Sequence, residues 1–441
     1  MANKSIAFHT LGCKLNFSES STLARRFREL GYEITDFDSE ADVYVIHTCT
    51  VTQVAEKKSR AAIYQAIRRN PAARVAVIGC YSELRAENIR KIEGVDIVLG
   101  NQNKFDLPEI IEGNGINTTN QSYQPCHEKQ EGTSTLGPFN PAFSSGDRTR
   151  SFLKIQDGCD HFCTYCAIPY ARGRSRSATV EQALETARKA AATGVKEIVL
   201  TGVNIGDFGR RNGEKLLDFL RRASEERIVD RLRISSIEPE LLTDEIIELV
   251  ADSDMLMPHF HIPLQAGSDT ILKRMRRKYD TQLFASRVYK IKELMPHACI
   301  AADVIVGFPG ETDELFEETY HFLEQLPVSY MHIFTYSDRP GTPASKMDGK
   351  VEPQVKRNRS KRLHELSELK LVQFYRSCLG MPVTVLFESD NDNGWMSGFT
   401  ENYIKVKTPF NPELSNTLVK TTLQITDSQG QYLYFSAPDS D

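Results

Sequence analysis

Six short apolar runs rich in β-branched residues punctuate the middle of the chain, at 152–155, 198–200, 232–234, 259–262, 302–306 and 332–335. Helical patterns separate most of them, and strands that alternate with helices form parallel sheets covered on both faces. Six such units in about 220 residues predict a TIM-like barrel that is incomplete, since eight units take about 250 residues.

The rest of the chain reads as two further textures. Residues 1–113 alternate short strands at 6–8, 43–46, 75–78 and 97–99 with amphipathic stretches at 17–30, 54–69 and 83–93, the pattern of an open parallel α/β sheet. Residues 114–147 are rich in Asn, Gly, Pro and Ser without a period and read as a linker. The partial barrel occupies 148–378, ending in a highly charged helix from 352 to 378. Residues 379–441 hold five short strand candidates, TLVKTTLQIT at 417–426 among them, separated by Gly, Asn, Pro and Asp, a small all-β barrel. Three folding units suit 441 residues at roughly 150 residues per domain, and each can bury its own core.

With 26% charged residues, a net charge of -5 and no apolar stretch near the ~20 residues that span a bilayer, the chain is expected to have no membrane partner. The opening MANKSIAFHTLGCKLN lacks the apolar run of a secretory signal, so a reducing cytoplasm is the expected compartment. There, nine cysteines read as metal or redox residues rather than as disulfides.

Two sets carry the chemistry. Cys159, Cys163 and Cys166 lie in QDGCDHFCTYCAIPYARG, directly after the first barrel strand. Three thiolates on one tight loop can hold three irons of a 4Fe-4S cluster and leave the fourth iron open to a ligand, the alternative being a zinc loop. Cys13, Cys49 and Cys80, in TLGCKLN, VIHTCTVT and AVIGCYSE, each follow one of the first three strands. Loops at the carboxyl ends of parallel strands converge on one sheet edge, so these three can cap a second cluster. Cys126, Cys299 and Cys378 are expected not to be ligands.

The Cys-x-x-x-Cys-x-x-Cys spacing, with Tyr165 before the last cysteine, resembles the radical S-adenosylmethionine superfamily. The resemblance implies that the open iron chelates the methionine end of the cofactor and that its reduction yields a 5'-deoxyadenosyl radical. The whole chain is similar to the methylthiotransferases: GCKLN, HTCTVT, the cluster loop, LTGVNIGDFG, RISSIEPE, HIPLQAGSD, VIVGFPGET and YSDRPGTPA stand in the family's order, and the terminal barrel looks like a TRAM domain. That implies two 4Fe-4S clusters, with the one on Cys13, Cys49 and Cys80 carrying the sulfur, and S-adenosylmethionine as both methyl donor and radical source. TLGCK with HTCTVT, RSFLKIQDGC and RISSIEPE looks most like the MtaB type. That branch converts N6-threonylcarbamoyladenosine at position 37 of tRNA to its 2-methylthio derivative. Sister branches act on isopentenyladenosine in tRNA or on an aspartate of a ribosomal protein, and a non-catalytic iron-sulfur RNA-binding protein is the alternative from another class. Implied partners are the tRNA anticodon region, an electron donor such as flavodoxin or ferredoxin, and a sulfur donor. His47 departs from the family's usual Asn two residues before the second cysteine.

Tyr165, Gly202, Asn204, Glu238, Gln265, Ser268 and Gly307 are expected to border the cofactor, because barrel enzymes place their chemistry at the carboxyl ends of strands. For RNA phosphates the candidates are Arg172, Arg174 and Arg176 after the cluster loop, the run LKRMRRK at 272–278, and KRNRSKR at 356–362. The terminal barrel holds three lysines against eight carboxylates, so any grip on RNA there falls to a local face containing Tyr403, Lys405 and Lys407.

Overall fold

A computed structural model describes residues 4–113, 138–146, 149–423, 425–426 and 433–434. The N-terminal unit runs β1 (Ser5–Thr10), α1 (Lys14–Glu29), β2 (Glu33–Thr35), β3 (Val43–Thr48), α2 (Gln53–Arg69), β4 (Arg74–Gly79), α3 (Cys80–Arg90), β5 (Ile97–Leu99) and α4 (Leu107–Glu112). Its five strands pair in parallel in the order β2-β1-β3-β4-β5. Alternation along β3 sends Val43 and Val45 to one face, against Leu23 and Phe27 of α1. Tyr44 and Ile46 go to the other face, against Ile63 and Ala66 of α2. Both faces are covered, so β3 is buried along its full length. Thr52 caps α2 by accepting from the Ala55 amide, 3.1 Å away.

The central unit continues with β6 (Ala142–Phe143), β7 (Arg150–Lys154), β8 (Gln156–Asp157), α5 (Ile168–Arg172), β9 (Arg176–Ser177), α6 (Val180–Ala191), β10 (Glu197–Thr201), α7 (Leu216–Glu226), β11 (Arg231–Ile234), α8 (Asp244–Asp252), β12 (His259–Gln265), α9 (Asp269–Arg274), α10 (Thr281–Leu294), β13 (Cys299–Val306), α11 (Asp313–Gln325) and β14 (Tyr330–Thr335). All six expected barrel strands are present: β7, β10, β11, β12, β13 and β14. They form two sheets, β11-β10-β7-β6 and β12-β13-β14, joined by bridges from Leu232 to Leu256 and from Ser236 to His261. Among the described residues no pairing joins β14 back to the β7 side, so the barrel stays open there. Within the stretch read as linker, β6 pairs antiparallel with β7, Ala142 opposite Lys154.

The charged helix α12 (Pro353–Ser377) then spans two cores, burying Leu363 and Leu366 in the barrel and Phe374 and Tyr375 in the last unit. That unit contains β15 (Pro382–Phe387), β16 (Trp395–Phe399), β17 (Lys405–Pro409), β18 (Leu418–Thr422), β19 (Ile425–Thr426) and β20 (Leu433–Tyr434) in the order β18-β15-β16-β17-β20-β19. The stretch expected as one strand over 417–426 is therefore divided between β18 and β19. The small sheet packs on the amino ends of the barrel strands. Arg231 donates to the Phe399 carbonyl at 3.1 Å, Arg233 to that of Glu401 at 3.1 Å, and Arg150 pairs with Glu388 at 2.7 Å. No described helix is long and apolar enough to cross a membrane.

Candidate active site

Cys13, Cys49 and Cys80 arrive together at one edge of the N-terminal sheet. Cys13 sits at the N-cap of α1, Cys49 follows β3 and Cys80 opens α3. Asn16 stitches the first two loops by donating to the Leu11 and Thr48 carbonyls at 2.8 and 3.0 Å. The Thr48 hydroxyl ties the second to the third by donating to the Ile78 carbonyl at 2.7 Å. The approach is so close that a Cβ on Gly12, whose φ is +104°, would lie 2.8 Å from Cys49 Sγ. One on Gly79, φ +103°, would lie 2.6 Å from the His47 ring. Only glycine satisfies both the backbone and the space there. His47 itself is fully buried, with Nδ1 2.9 Å from Ser20 Oγ, which gives the departure from the family's Asn its local partner.

These thiols suit a metal rather than free sulfur chemistry. Burial pushes Cys49 up to about 11, with Cys80 and Cys13 adding like charge, and burial also raises Cys80. Buried thiols with raised pKa stay protonated until a metal displaces the proton.

The second triad stands on a loop pinched shut by the β8–β9 pair, Gln156 opposite Ser177 and Asp157 opposite Arg176. The Cys159 amide donates to the Gly173 carbonyl at 3.1 Å, and the Cys166 amide to that of Cys163 at 3.0 Å. Burial pushes Cys159 and Cys166 each up to about 12. Arg277 donates to Cys163 Sγ at 3.0 Å and to the Tyr165 hydroxyl at 3.4 Å, and pairs with Glu238. Burial raises Glu238 to about 7 although Arg277 pulls the other way.

The residues expected around the cofactor occupy the carboxyl ends of the strands. Gly202 follows β10, and a Cβ there would lie 2.9 Å from Gln156 Oε1. Asn204 Nδ2 lies 3.3 Å from His161 Nε2 and 3.2 Å from Asp207 Oδ2. Gln265 takes φ +67° at the bulge that ends β12. Gly307 follows β13, its amide donating to Glu311 at 2.7 Å. The buried Asn204 Oδ1 and Ser268 Oγ have no hydrogen-bond partner, an unmet demand that a polar ligand satisfies. Three thiols on one loop with orphaned polar atoms at the same strand ends fit a cluster and a polar cofactor.

One buried network that the sequence did not reveal lies between the triads. Glu19 of α1 holds Lys104 at 2.5 Å, Lys154 at 2.7 Å and Arg172 at 3.3 Å; Asp157 holds Lys154 at 2.8 Å, Arg172 at 2.9 Å and Arg176 at 3.1 Å. Burial would raise the Glu19 carboxyl, but Arg172, Lys104 and Lys154 outweigh it and hold it well below its usual range. Arg172, expected to face phosphates, is instead 2% exposed, because two carboxylates and Asn16 draw it inward. It closes α5, the helix after Cys166, while Asn101 donates to the neighbouring Ala171 carbonyl and to Cys80 Sγ at 2.8 and 3.5 Å. The two cysteine loops thus lean on shared side chains. Lysine and glutamate inside helical or strand patterns look like solvated faces in a sequence, which is why Glu19, Lys104 and Lys154 were missed.

The other basic candidates divide. Lys273, Arg276 and Lys278 are exposed while Arg277 turns inward. Arg359 is buried against Glu311 at 2.7 Å, and the exposed Arg362 pairs with Glu317. Arg174 lies over the Phe162 ring, 4.8 Å from its centre. Tyr403, expected on an RNA face, packs inward between Phe399 and His259, ring centres 4.7 and 4.6 Å away. Lys405 and Lys407 are half-buried on β17. Cys299 and Cys378 lie in the apolar cluster under the terminal barrel, and Cys126 lies outside the described residues.

Beneath the strand ends the open barrel encloses a cleft of about 750 Å³. Cys13 and Lys14 line one wall, alternate residues Tyr330, His332 and Phe334 of β14 another, and Arg150, Arg233 and His259 the end near the terminal barrel. His261 Nε2 lies 2.7 Å from Asp303 in its wall.

Comparison with known proteins bears on this geometry. Residues 153–323 match the radical SAM superfamily, and residues 5–100 match the uncharacterized protein family UPF0004. The chain is 42% identical to the threonylcarbamoyladenosine tRNA methylthiotransferase MtaB of Bacillus subtilis (strain 168), over 95% of this chain and 93% of that one. It is 39% identical to the protein of the same name from Aquifex aeolicus (strain VF5), over 91% and 96%. A tRNA-2-methylthio-N(6)-dimethylallyladenosine synthase of Fusobacterium nucleatum is 35% identical over 87% and 88%. Among solved structures, the radical S-adenosylmethionine methyltransferase TsrM from Kitasatospora setae shares the fold, with a TM-score of 0.56 at 14% identity over 90% of this chain and 80% of that one.

Proposed function

The chain belongs to the radical S-adenosylmethionine methylthiotransferases, and from that premise we propose that it converts N6-threonylcarbamoyladenosine in tRNA to the 2-methylthio nucleoside. S-adenosylmethionine and a 4Fe-4S cluster go with the superfamily. In this reading Cys159, Cys163 and Cys166 hold that cluster, and Cys13, Cys49 and Cys80 hold a second. Bound there, the groups would supply radical cleavage of S-adenosylmethionine at the barrel mouth and the transferred sulfur at the sheet edge.

The chain's own residues do the rest. Gly12 and Gly79 let the three loops of the sheet edge close on one another. Arg277 holds Cys163 and Tyr165 in place through donated hydrogen bonds. The polar atoms of Asn204 and Ser268 meet the cofactor. The surplus of Lys104, Lys154, Arg172 and Arg176 over Glu19 and Asp157 lies beside the sheet-edge thiols Cys13 and Cys80 inside the protein, where charge is screened least. The observation that carries the reading is the sharing of one buried network by both cysteine loops, which supports a sulfur site beside a radical site. An electron donor of the flavodoxin or ferredoxin kind, a sulfur donor and a cytoplasmic setting complete the proposal.

The test is anaerobic. Protein reconstituted with iron and sulfide is given dithionite, S-adenosylmethionine and tRNA bearing threonylcarbamoyladenosine, and digested nucleosides are weighed by mass spectrometry. A methylthio gain on that nucleoside is expected. Cys159→Ala, Cys163→Ala and Cys166→Ala abolish 5'-deoxyadenosine, whereas Cys13→Ala, Cys49→Ala and Cys80→Ala keep it and lose the methylthio product. Product from the second group would remove the sulfur role of the sheet edge.

A further inference from the structure

Three basic side chains, Lys14, Arg150 and Arg233, line the barrel cleft, against Asp303 as the one carboxylate among its lining residues. Arg150 is paired with Glu388, and Arg233 is held by both Glu197 oxygens at 2.9 and 3.1 Å. Lys14 has no ion pair or hydrogen bond among the described residues; its ammonium lies 6.0 Å from the centre of the Phe152 ring. Beside these, His259 is 7% exposed, and neither ring nitrogen has a hydrogen-bond partner. Buried imidazole nitrogens are normally satisfied, so an unpartnered one in a cleft wall marks a place for a polar ligand. An unpaired ammonium, two guanidiniums and an idle imidazole in one enclosed space select an anion, and the charge-assisted hydrogen bonds they offer are the strong kind.

The position of these groups along the barrel identifies which anion. Arg150 and His259 are the first residues of β7 and β12, so the cationic end is the floor of the cleft, while the Cys159 loop lies beyond the other end of β7. At about 3.3 Å per residue, the four steps from Arg150 to Lys154 put floor and mouth roughly 13 Å apart. In adenine, C2 and C6 flank N1, and the bonds that leave them diverge. A base that offers C2 at the mouth can therefore carry its long N6 substituent away from that end, toward the floor. Resting on the proposed function, we infer that Lys14, Arg150, Arg233 and His259 form a carboxylate site that recognises the threonyl end of the modified adenosine. A dimethylallyl group in the same place would leave these polar groups desolvated without a partner, so the site also rejects that nucleoside. A tRNA phosphate has similar oxygen chemistry, and the experiment separates the two.

Anticodon stem-loops are prepared with the threonylcarbamoyl carboxylate free or converted to its methylamide, which leaves every phosphate unchanged. The kcat/KM for methylthio product on each is measured with the full, reconstituted chain. Wild type is expected to prefer the acid by roughly tenfold to a hundredfold, the worth of a hydrogen bond to a charged group. In Lys14→Met that ratio collapses toward one, and in Lys14→Arg it is kept. Equal rates on acid and amide in wild type, or an unchanged ratio in Lys14→Met, would overturn the carboxylate site, and the former would assign the cations to phosphate. The wild-type comparison stands whether or not the variant folds. No product on the acid, from protein that carries its iron and forms 5'-deoxyadenosine, would instead overturn the function on which the site rests.

Discussion

Gly12 shows how a single hydrogen atom in place of a side chain permits a three-loop site. Gly12→Ala would force a Cβ to 2.8 Å from Cys49 Sγ at a left-handed φ, a strain of about 1–3 kcal/mol. The expected result is loss of the sheet-edge cluster, with iron falling from about eight to about four per chain and 5'-deoxyadenosine formation retained. Iron assay and nucleoside analysis on one preparation check it. Arg172 makes the opposite point about charge. Arg172→Leu leaves Glu19 and Asp157 short of a partner in the interior, which costs about 3–5 kcal/mol and is measured by urea unfolding of the metal-free chain. In the sequence Arg172 looked like one of three surface arginines, because spacing says nothing about which carboxylates wait inside. The grouping of the six cysteines into two sets was legible for the reverse reason: each stands at the end of an apolar run or in a tight cluster.

Among elements, the long regular ones were readable. The 17–30 and 54–69 patterns correspond to α1 and α2, and the charged stretch from 352 corresponds to α12, since a periodic apolar stripe over several turns has no rival explanation. The three-residue strand β2 escaped because Glu33, Ile34 and Thr35 are too few and too polar to show alternation at a sheet edge. The division of 417–426 into β18 and β19 escaped because both halves carry the same composition. Helix α12 joins two cores, so its two ends should respond differently. Leu363→Ala empties a fully buried place in the barrel and is expected to lower its stability by about 2–5 kcal/mol. Phe374→Ala should chiefly loosen the terminal sheet, seen as earlier proteolysis after residue 378 with the barrel intact.

Across the whole molecule, buried carboxylates set the acid limit. Burial would raise Glu197 above its ordinary 4.5, yet Arg233, Arg150 and Arg231 prevail and hold it lower; Glu19 is held lower in the same way. A carboxylate with a depressed folded pKa adds stability at pH values above its unfolded pKa, and that stability is lost as pH falls through the folded value. The urea midpoint of the metal-free chain is therefore expected to lose the contribution of these two carboxylates as pH falls below about 5. Glu197→Gln should make that acid slope shallower while lowering the plateau, since Arg233 then lacks its bidentate partner.

The unpaired side of the barrel has a topological consequence. A ring of strands closed all the way round can be entered only from its ends, which suits a small molecule that arrives free. With β14 left unjoined to the β7 side among the described residues, the remaining wall of the cleft comes from Thr10, Cys13, Lys14 and Phe17 of the N-terminal unit. A ring with one wall borrowed from a neighbouring unit takes its shape from that neighbour, so the sheet that carries Cys13 and the space it helps enclose stand or fall together.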